Sequence, residues 1–107
     1  MDVTALKNST DRVHPPEGLS VYLTSLWYDA KGNWNKAHEL IQDVEDTNAA
    51  WIHAFLHRKE GDTSNADYWY RRAGRKRPSI SLEEEWESIT VHFLNEAGGE
   101  KSKVGSH

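Results

Sequence analysis

Two stretches of the chain decide its fold: residues 26–44, LWYDAKGNWNKAHELIQDV, and residues 55–73, FLHRKEGDTSNADYWYRRA. A shift of 29 positions superposes them and brings a glycine onto a glycine and an alanine onto an alanine. The superposed pairs are Gly32 with Gly61 and Ala37 with Ala66. Glycine lets the chain leave a helix with positive φ, and alanine permits close approach of the next helix. The repeat therefore predicts two helical hairpins that bury a face against each other.

Apolar residues around these stretches recur with the three- and four-residue spacing of buried helix faces. The pattern places hairpin 1 at residues 18–44 and hairpin 2 at residues 48–76. A further helix over residues 81–96 opens on Ser81-Leu82-Glu83-Glu84, which has the form of a capping box. The sequence therefore predicts an all-α fold of about five antiparallel helices, the last of which is a C-terminal capping helix.

The two ends of the 107-residue chain differ in composition from its middle. Residues 1–15 show no sustained apolar period and run into the Pro15-Pro16 pair, so we expect a flexible N-terminal arm. Residues 97–107, AGGEKSKVGSH, have almost nothing to bury and predict a flexible tail. A single helical domain is therefore expected over residues 16–96.

Composition excludes several classes of protein. The chain has no cysteine, which excludes disulfides, thiolate metal sites and cysteine nucleophiles. No apolar run approaches the roughly 18 residues of a membrane span, and the first residues lack the layout of a secretion signal. The formal net charge of -4 favours solubility. We therefore expect a cytoplasmic protein with no membrane partner.

No motif of a catalytic centre is present. The sequence contains no GxSxG, Walker or GxGxxG pattern, and no HExxH motif that would place a general base between two metal ligands. We therefore predict neither catalytic activity nor a cofactor. A ligand-responsive enzyme subunit without chemistry of its own stays open as an alternative.

The second stretch resembles the tetratricopeptide repeat, a helical hairpin of about 34 residues. The residues that follow the order of that family are Gly61, Asp62, Ala66, Trp69, Tyr70, Ala73 and Pro78. The first stretch keeps the glycine and the first alanine but has Val44 in place of the second alanine. The phrase EGDTSNADYWYRRAGR is also similar to short bacterial proteins without an assigned activity. The resemblance implies a degenerate helical repeat that binds a protein or peptide partner.

In tetratricopeptide repeats the first helix of each hairpin lines a concave peptide-binding groove. Carried over to this chain, the resemblance implies a peptide site formed by Tyr22, Asp29, Asn48, Trp51, Arg58 and Lys59. The aromatic rings offer rigid apolar faces, the asparagine can hold a peptide backbone, and the two cations can meet a carboxylate. An alternative is that Tyr22 and Trp51 pack against later helices and close the groove.

His53, His57 and Glu60 follow one another at spacings of four and three residues. On a helix these spacings place the three side chains on one face, and two imidazoles with a carboxylate suit zinc or another divalent ion. That face lies opposite the apolar stripe of the same helix, so we expect a solvated polar surface without a metal. Metal binding is kept as an alternative function.

Five basic residues lie at the end of the second hairpin: Arg71, Arg72, Arg75, Lys76 and Arg77. Such a cluster can neutralise phosphates, which makes nucleic-acid binding a further alternative. Four glutamates follow, Glu83, Glu84, Glu85 and Glu87, and we expect them to screen the cations. This balance argues against nucleic acid as the partner. The favoured prediction is a non-catalytic protein or peptide interaction module, and self-association into a homo-oligomer is left open.

Overall fold

The computed structural model describes the backbone of residues 1–106 and the side chains of residues 1–96. Six α-helices lie in this part of the chain: α1 (Val3–Asn8), α2 (Val21–Ala30), α3 (Trp34–Ile41), α4 (Thr47–Lys59), α5 (Thr63–Arg72) and α6 (Leu82–Ser106). No strand occurs among the described residues, which confirms the predicted all-α fold. None of these helices combines the length and the apolar character that crossing a bilayer requires.

Helices α2 and α3 form hairpin 1, and helices α4 and α5 form hairpin 2. Gly32 and Gly61 occupy the two turns with φ values of 93° and 87°, a conformation that residues with a Cβ rarely adopt. The next residue in each turn, Asn33 or Asp62, accepts a hydrogen bond from a backbone amide three residues on and so begins the second helix. Both predicted hairpins are therefore confirmed.

Ala37 and Ala66, the paired alanines of the repeat, are both fully buried. In hairpin 1 the hydroxyl of Ser25 on α2 donates a hydrogen bond to the carbonyl oxygen of Ala37 on α3 at 2.8 Å. The helices approach closely enough for this bond because the alanine side chain is small. The repeat thus predicts correctly which positions the helices bury.

Helix α6 packs against both hairpins and completes the core. The Nε1 atom of the buried Trp86 donates a hydrogen bond to the carbonyl oxygen of Leu26 on α2 at 2.9 Å. Ile89 and Phe93, one and two turns further along α6, are buried as well. The C-terminal helix therefore caps both hairpins at once.

The capping box at the start of α6 is formed as predicted. The amide of Glu84 donates to Ser81 Oγ at 3.0 Å, and the amide of Ser81 donates to Glu84 Oε1 at 3.1 Å. The helical backbone continues beyond the predicted end at residue 96 and reaches Ser106. The predicted flexible tail, residues 97–107, lies outside the residues whose side chains are described, so it stays a prediction.

The prediction of a flexible arm over residues 1–15 is wrong for its first part. Helix α1 packs against α2 and α6, and Leu6 is fully buried in the core. The indole Nε1 of Trp27 donates a hydrogen bond to Ser9 Oγ at 3.0 Å. A single apolar side chain that fills one gap produces no periodic pattern, so the sequence carries no signal for this anchor.

Candidate metal centre

Three imidazole rings converge where hairpin 1 meets hairpin 2. His38 lies on α3, and His53 and His57 lie one turn apart on α4. The Nε2 atoms of His38 and His53 are 3.0 Å apart. One nitrogen from each of the three rings lies within 4.8 Å of the other two. Three potential ligand atoms for one metal ion are thus gathered in one place.

The expectation that His53 and His57 lie on a solvated face is wrong. His53 is only 6% exposed, and His57 is only 7% exposed. Trp34 of α3 and Trp69 of α5 cover this side of α4, in addition to the helices that cover its apolar stripe. Amphipathic spacing identifies one buried face of a helix, but α4 is surrounded on nearly all sides.

Tryptophan rings form the walls of this histidine cluster, which consists of His38, His53 and His57. Trp34 stacks on His38 with 4.9 Å between ring centroids, and Trp69 stacks on His53 at 4.0 Å. The indole Nε1 of Trp34 donates a hydrogen bond to the carbonyl oxygen of Leu56 at 2.8 Å, which holds the ring in place. The stacked indoles restrict rotation of the imidazoles, so their nitrogen atoms are held in position before any ion binds.

Burial disfavours the charged form of two of the three rings, His38 and His53. It lowers the pKa of His53 from its ordinary range to about 4, and the neighbouring imidazoles add to this effect. Burial, followed by the proximity of His57, also lowers the pKa of His38. Metal ions bind the neutral form of imidazole, which carries a free lone pair. Two of the rings are therefore in the protonation state that ligation requires.

A carboxylate sets the tautomer of the third ring. Glu60 Oε1 lies 2.6 Å from Nδ1 of His57, so this ring nitrogen carries the proton that the carboxylate accepts. The other ring nitrogen, Nε2, lies 3.5 Å from the side-chain amide of Asn65. Glu60, the third ligand of the alternative metal site, thus contacts His57 through Nδ1, and His38 is the third imidazole of the cluster.

Nothing in the sequence pattern pointed to His38. It lies 15 residues before His53 on a different helix, so helical spacing cannot relate the two. Only the packing of α3 against α4 brings them together.

The separation of the His38 and His53 nitrogens is close to the value that a zinc-like ion requires. Two nitrogens bound to one zinc at about 2.0–2.1 Å in a tetrahedron are about 3.3 Å apart. The separation of 3.0 Å between His38 and His53 needs only a small opening to reach this value. Imidazole nitrogen is a suitable ligand for Zn²⁺, Cu²⁺ and Ni²⁺, whereas Mg²⁺ and Ca²⁺ prefer oxygen.

The aromatic residues of the predicted peptide groove are covered by α6. Tyr22 stacks on Phe93 with ring centroids 5.0 Å apart, and Trp51, which is 8% exposed, packs against the same ring. The Tyr22 hydroxyl also donates a hydrogen bond to Asp46, and Asn48 lies beside it. The prediction of an open groove at these positions is therefore wrong, because α6 fills the concave side.

The charged members of the predicted groove are occupied within the molecule. Asp29 is 3% exposed and accepts a hydrogen bond from Lys59 Nζ at 3.0 Å, which ties hairpin 1 to hairpin 2. Arg58 donates to Glu85 Oε1 at 2.7 Å and so ties hairpin 2 to α6. Burial raises the pKa of Asp29, and the nearby lysine opposes this effect. These residues join structural elements, and Asp29 and Lys59 also line an open cavity of about 280 Å³ beside α6.

The glutamates that follow the basic residues were expected to screen them, but the direct contacts of these glutamates are with other groups. Glu83 and Glu87 approach Lys7 of α1 at 3.4 and 3.9 Å, and Glu84 caps α6. The buried Glu85 accepts hydrogen bonds from Arg58 and from the hydroxyl of Tyr70. All four carboxylates thus have other partners.

Within the basic segment, residues 71–77, one carboxylate makes a direct contact among the described side chains. Arg77 donates to Asp67 Oδ1 at 2.8 Å. Arg75 stacks on the indole of Trp51 with 3.4 Å between guanidinium carbon and ring centroid. The remaining cations of this segment are exposed.

In comparisons with known proteins, no family model, no curated protein and no solved structure matches this chain. The resemblance to tetratricopeptide repeats therefore stays a prediction.

Proposed function

We propose that the protein binds a divalent transition-metal ion through His38, His53 and His57. The observation that supports this proposal is the convergence of three imidazole nitrogens within 4.8 Å in a mostly buried pocket. Low pKa values keep two of the rings neutral, and the Glu60 carboxylate directs the lone pair of the third toward Nε2. The absence of cysteine in the sequence excludes thiolate ligands, so the preferred ions are those of imidazole chemistry, with Zn²⁺ as the first choice.

The metal ion would link the two hairpins. His38 belongs to hairpin 1, whereas His53 and His57 belong to hairpin 2. An ion that binds all three rings binds the folded chain far better than the unfolded chain, and so it stabilises the fold. At a free metal concentration 100 times Kd this linkage amounts to about 2.7 kcal/mol.

The test is a zinc titration of metal-free protein, followed by calorimetry and by the thermal unfolding temperature. The expected result is stoichiometric binding and a rise of the unfolding temperature. His38→Ala should lose most of both effects. This variant also separates the centre from a second group of potential ligands, His57, Glu60 and Asp62, which does not contain His38.

A matched control is His14→Ala, which removes an exposed imidazole far from the cluster in sequence. It should bind zinc like the parent protein. The proposal is contradicted if the parent shows no zinc-dependent rise, or if His38→Ala binds zinc as tightly as His14→Ala does.

A second candidate function is binding of an acidic segment of a protein partner, and the basic segment 71–77 favours it. The observation behind it is that the four glutamates near this segment have partners elsewhere in the molecule. Arginine can bind carboxylates through two parallel hydrogen bonds. In this second candidate function the peptide binds at the basic segment 71–77 and not at the predicted groove that α6 covers.

Binding of a fluorescent oligoglutamate peptide to the double variant Arg71→Glu and Lys76→Glu tests this second candidate. The affinity should fall steeply against the parent, whereas Arg12→Glu, an equal change of charge per residue outside the segment, should have a smaller effect. A loss of binding free energy in Arg12→Glu that is half of the loss in the double variant would mean that only net charge matters. A duplex DNA probe in parallel shows whether nucleic acid binds better than the peptide.

A further inference from the structure

We infer that the metal at the histidine cluster keeps one coordination position open for an exogenous ligand, either water or a small anion. This inference rests on the proposed function. Zinc-like ions in proteins take four ligands when the site is closed, whereas sites with three protein ligands take water or another small molecule at the fourth position. The cluster offers three nitrogens, so the question is whether another side chain supplies the fourth.

Among the side chains of residues 1–96, the group that contains His38, His53 and His57 includes no further histidine, cysteine or carboxylate. Glu60 is the closest carboxylate by sequence, but it contacts Nδ1 of His57 at 2.6 Å. A metal would bind the other nitrogen of that ring, Nε2. The two nitrogens point away from each other, so this carboxylate faces away from the ion while it makes the ring a stronger ligand.

The internal competitors for the fourth position are Asp62 and Asn65. The carboxylate of Asp62 lies within 4.8 Å of a His57 nitrogen, but it is grouped there with Glu60 and not with the other two histidines of the cluster. The side-chain nitrogen of Asn65 lies 3.5 Å from Nε2 of His57, and rotation of the amide would present its oxygen instead. The same nitrogen is 3.4 Å from Asp62 Oδ2, and that carboxylate attracts the donor end of the amide. Amide oxygen is also a poor ligand for an ion that prefers imidazole. The geometry therefore favours an exogenous ligand over Asn65.

Charge favours an anion at this position. Imidazole ligands carry no negative charge, so they leave the double charge of the ion uncompensated in a mostly buried site, and an anionic ligand would neutralise part of it. The half-buried His38 is the most exposed of the three residues, so the site is closest to solvent on the α3 side. Trp34 and Trp69 stack on the faces of two imidazole rings. This stacking does not cover the ring edges, which carry the nitrogens.

The experiment uses the cobalt-substituted protein, because Co²⁺ replaces Zn²⁺ and its visible absorption reports the ligands. Azide is titrated into the parent and into Asn65→Ala, each with circular dichroism as a check of folding. The expected result is a saturable shift of the cobalt bands in both proteins. Azide should produce no such shift in His38→Ala, which has lost one ligand and with it the bound cobalt.

Two outcomes would overturn the inference while the proposed function stands. If cobalt binds in a His38-dependent manner but azide leaves the parent spectrum unchanged, the coordination is closed. If only Asn65→Ala responds to azide, Asn65 supplies the fourth ligand. Failure of cobalt and zinc to bind the parent at all would contradict the proposed function itself, and this outcome is visible before azide is added.

Discussion

At the scale of single residues, the environment of each histidine matters more than its presence. His14 and His53 are the same amino acid, yet one is exposed and the other lies between a tryptophan and a second imidazole. Burial disfavours the imidazolium ion, which explains why the pKa of His53 falls to about 4. A residue that is held neutral in the fold but titrates normally in the unfolded chain makes stability depend on pH.

The first prediction concerns this pH dependence in metal-free protein. Unfolded histidine has a pKa of about 6.5, so between pH 6.5 and pH 4 the unfolded chain binds more protons at this position than the folded chain. Stability should therefore fall as the pH is lowered through this window, by about 1–3 kcal/mol from this residue. Urea unfolding at several pH values, with a chelator present, measures the effect.

His53→Gln serves as the comparison, because it keeps a polar side chain of similar length without a titration in this range. The variant should show a flatter dependence between pH 6.5 and pH 4.5 than the parent. His38, whose pKa is also lowered, continues to titrate in the variant and accounts for a remaining slope. Identical slopes in both proteins would show that His53 does not contribute to acid sensitivity.

At the scale of elements, the two hairpins depend on small residues where their helices cross. Ala66 on α5 is fully buried, as is Ala37 on α3. Glycine at each turn and an alanine five residues later are features of short-range geometry, and they recur in both hairpins. The helix that completes each pair therefore approaches at a distance that the alanine sets.

The second prediction is that Ala66→Leu destabilises the protein by about 1–3 kcal/mol, because extra methylene groups overpack the helix crossing. The free energy of unfolding in urea measures it. Ala30→Leu, the same change at an exposed position of α2, should have a far smaller effect. Equal stability of the Ala66 variant and the parent would remove the argument that this alanine sets the approach of the helices.

At the scale of the whole molecule, contacts between distant segments join the hairpins, the N-terminal helix and α6 into one core. Leu6 of α1 is buried with α2 and α6, and the ion pair of Asp29 with Lys59 links the two hairpins. Phe93 of helix α6 packs against the aromatic residues of the predicted groove. Among the residues whose side chains are described, α6 thus covers the positions at which an open groove was predicted.

The third prediction is that Leu6→Ala destabilises the protein by about 2–5 kcal/mol, the usual cost of emptying a buried leucine site. Cooperative unfolding in urea measures it. Val13→Ala, a change at a residue that is 75% exposed, is the control and should be nearly neutral. If both variants matched the parent, α1 would not be an anchored part of the core.

Helices α2 to α5, the two hairpin turns and the capping box of α6 follow from the sequence alone. These features depend on residues within about four positions of each other: helical periodicity, positive φ at glycine, and side chains that bond nearby amides. Such short-range interactions can be recognised in a segment of sequence without knowledge of how that segment packs. Helical spacing also suggested the pair His53 and His57, since both lie on one helix.

Three other features depend on the tertiary structure: His38 lies beside that pair, α6 covers the predicted groove, and Leu6 is buried. Each of these contacts joins different helices, so it depends on the angle and the register at which they pack. Side-chain volume at the interfaces sets these quantities, and no spacing within one segment records them. The histidine cluster follows from the packing of α3 and α5 around α4, and this is why its third member, the third ligand of the proposed metal site, could not be found from the sequence.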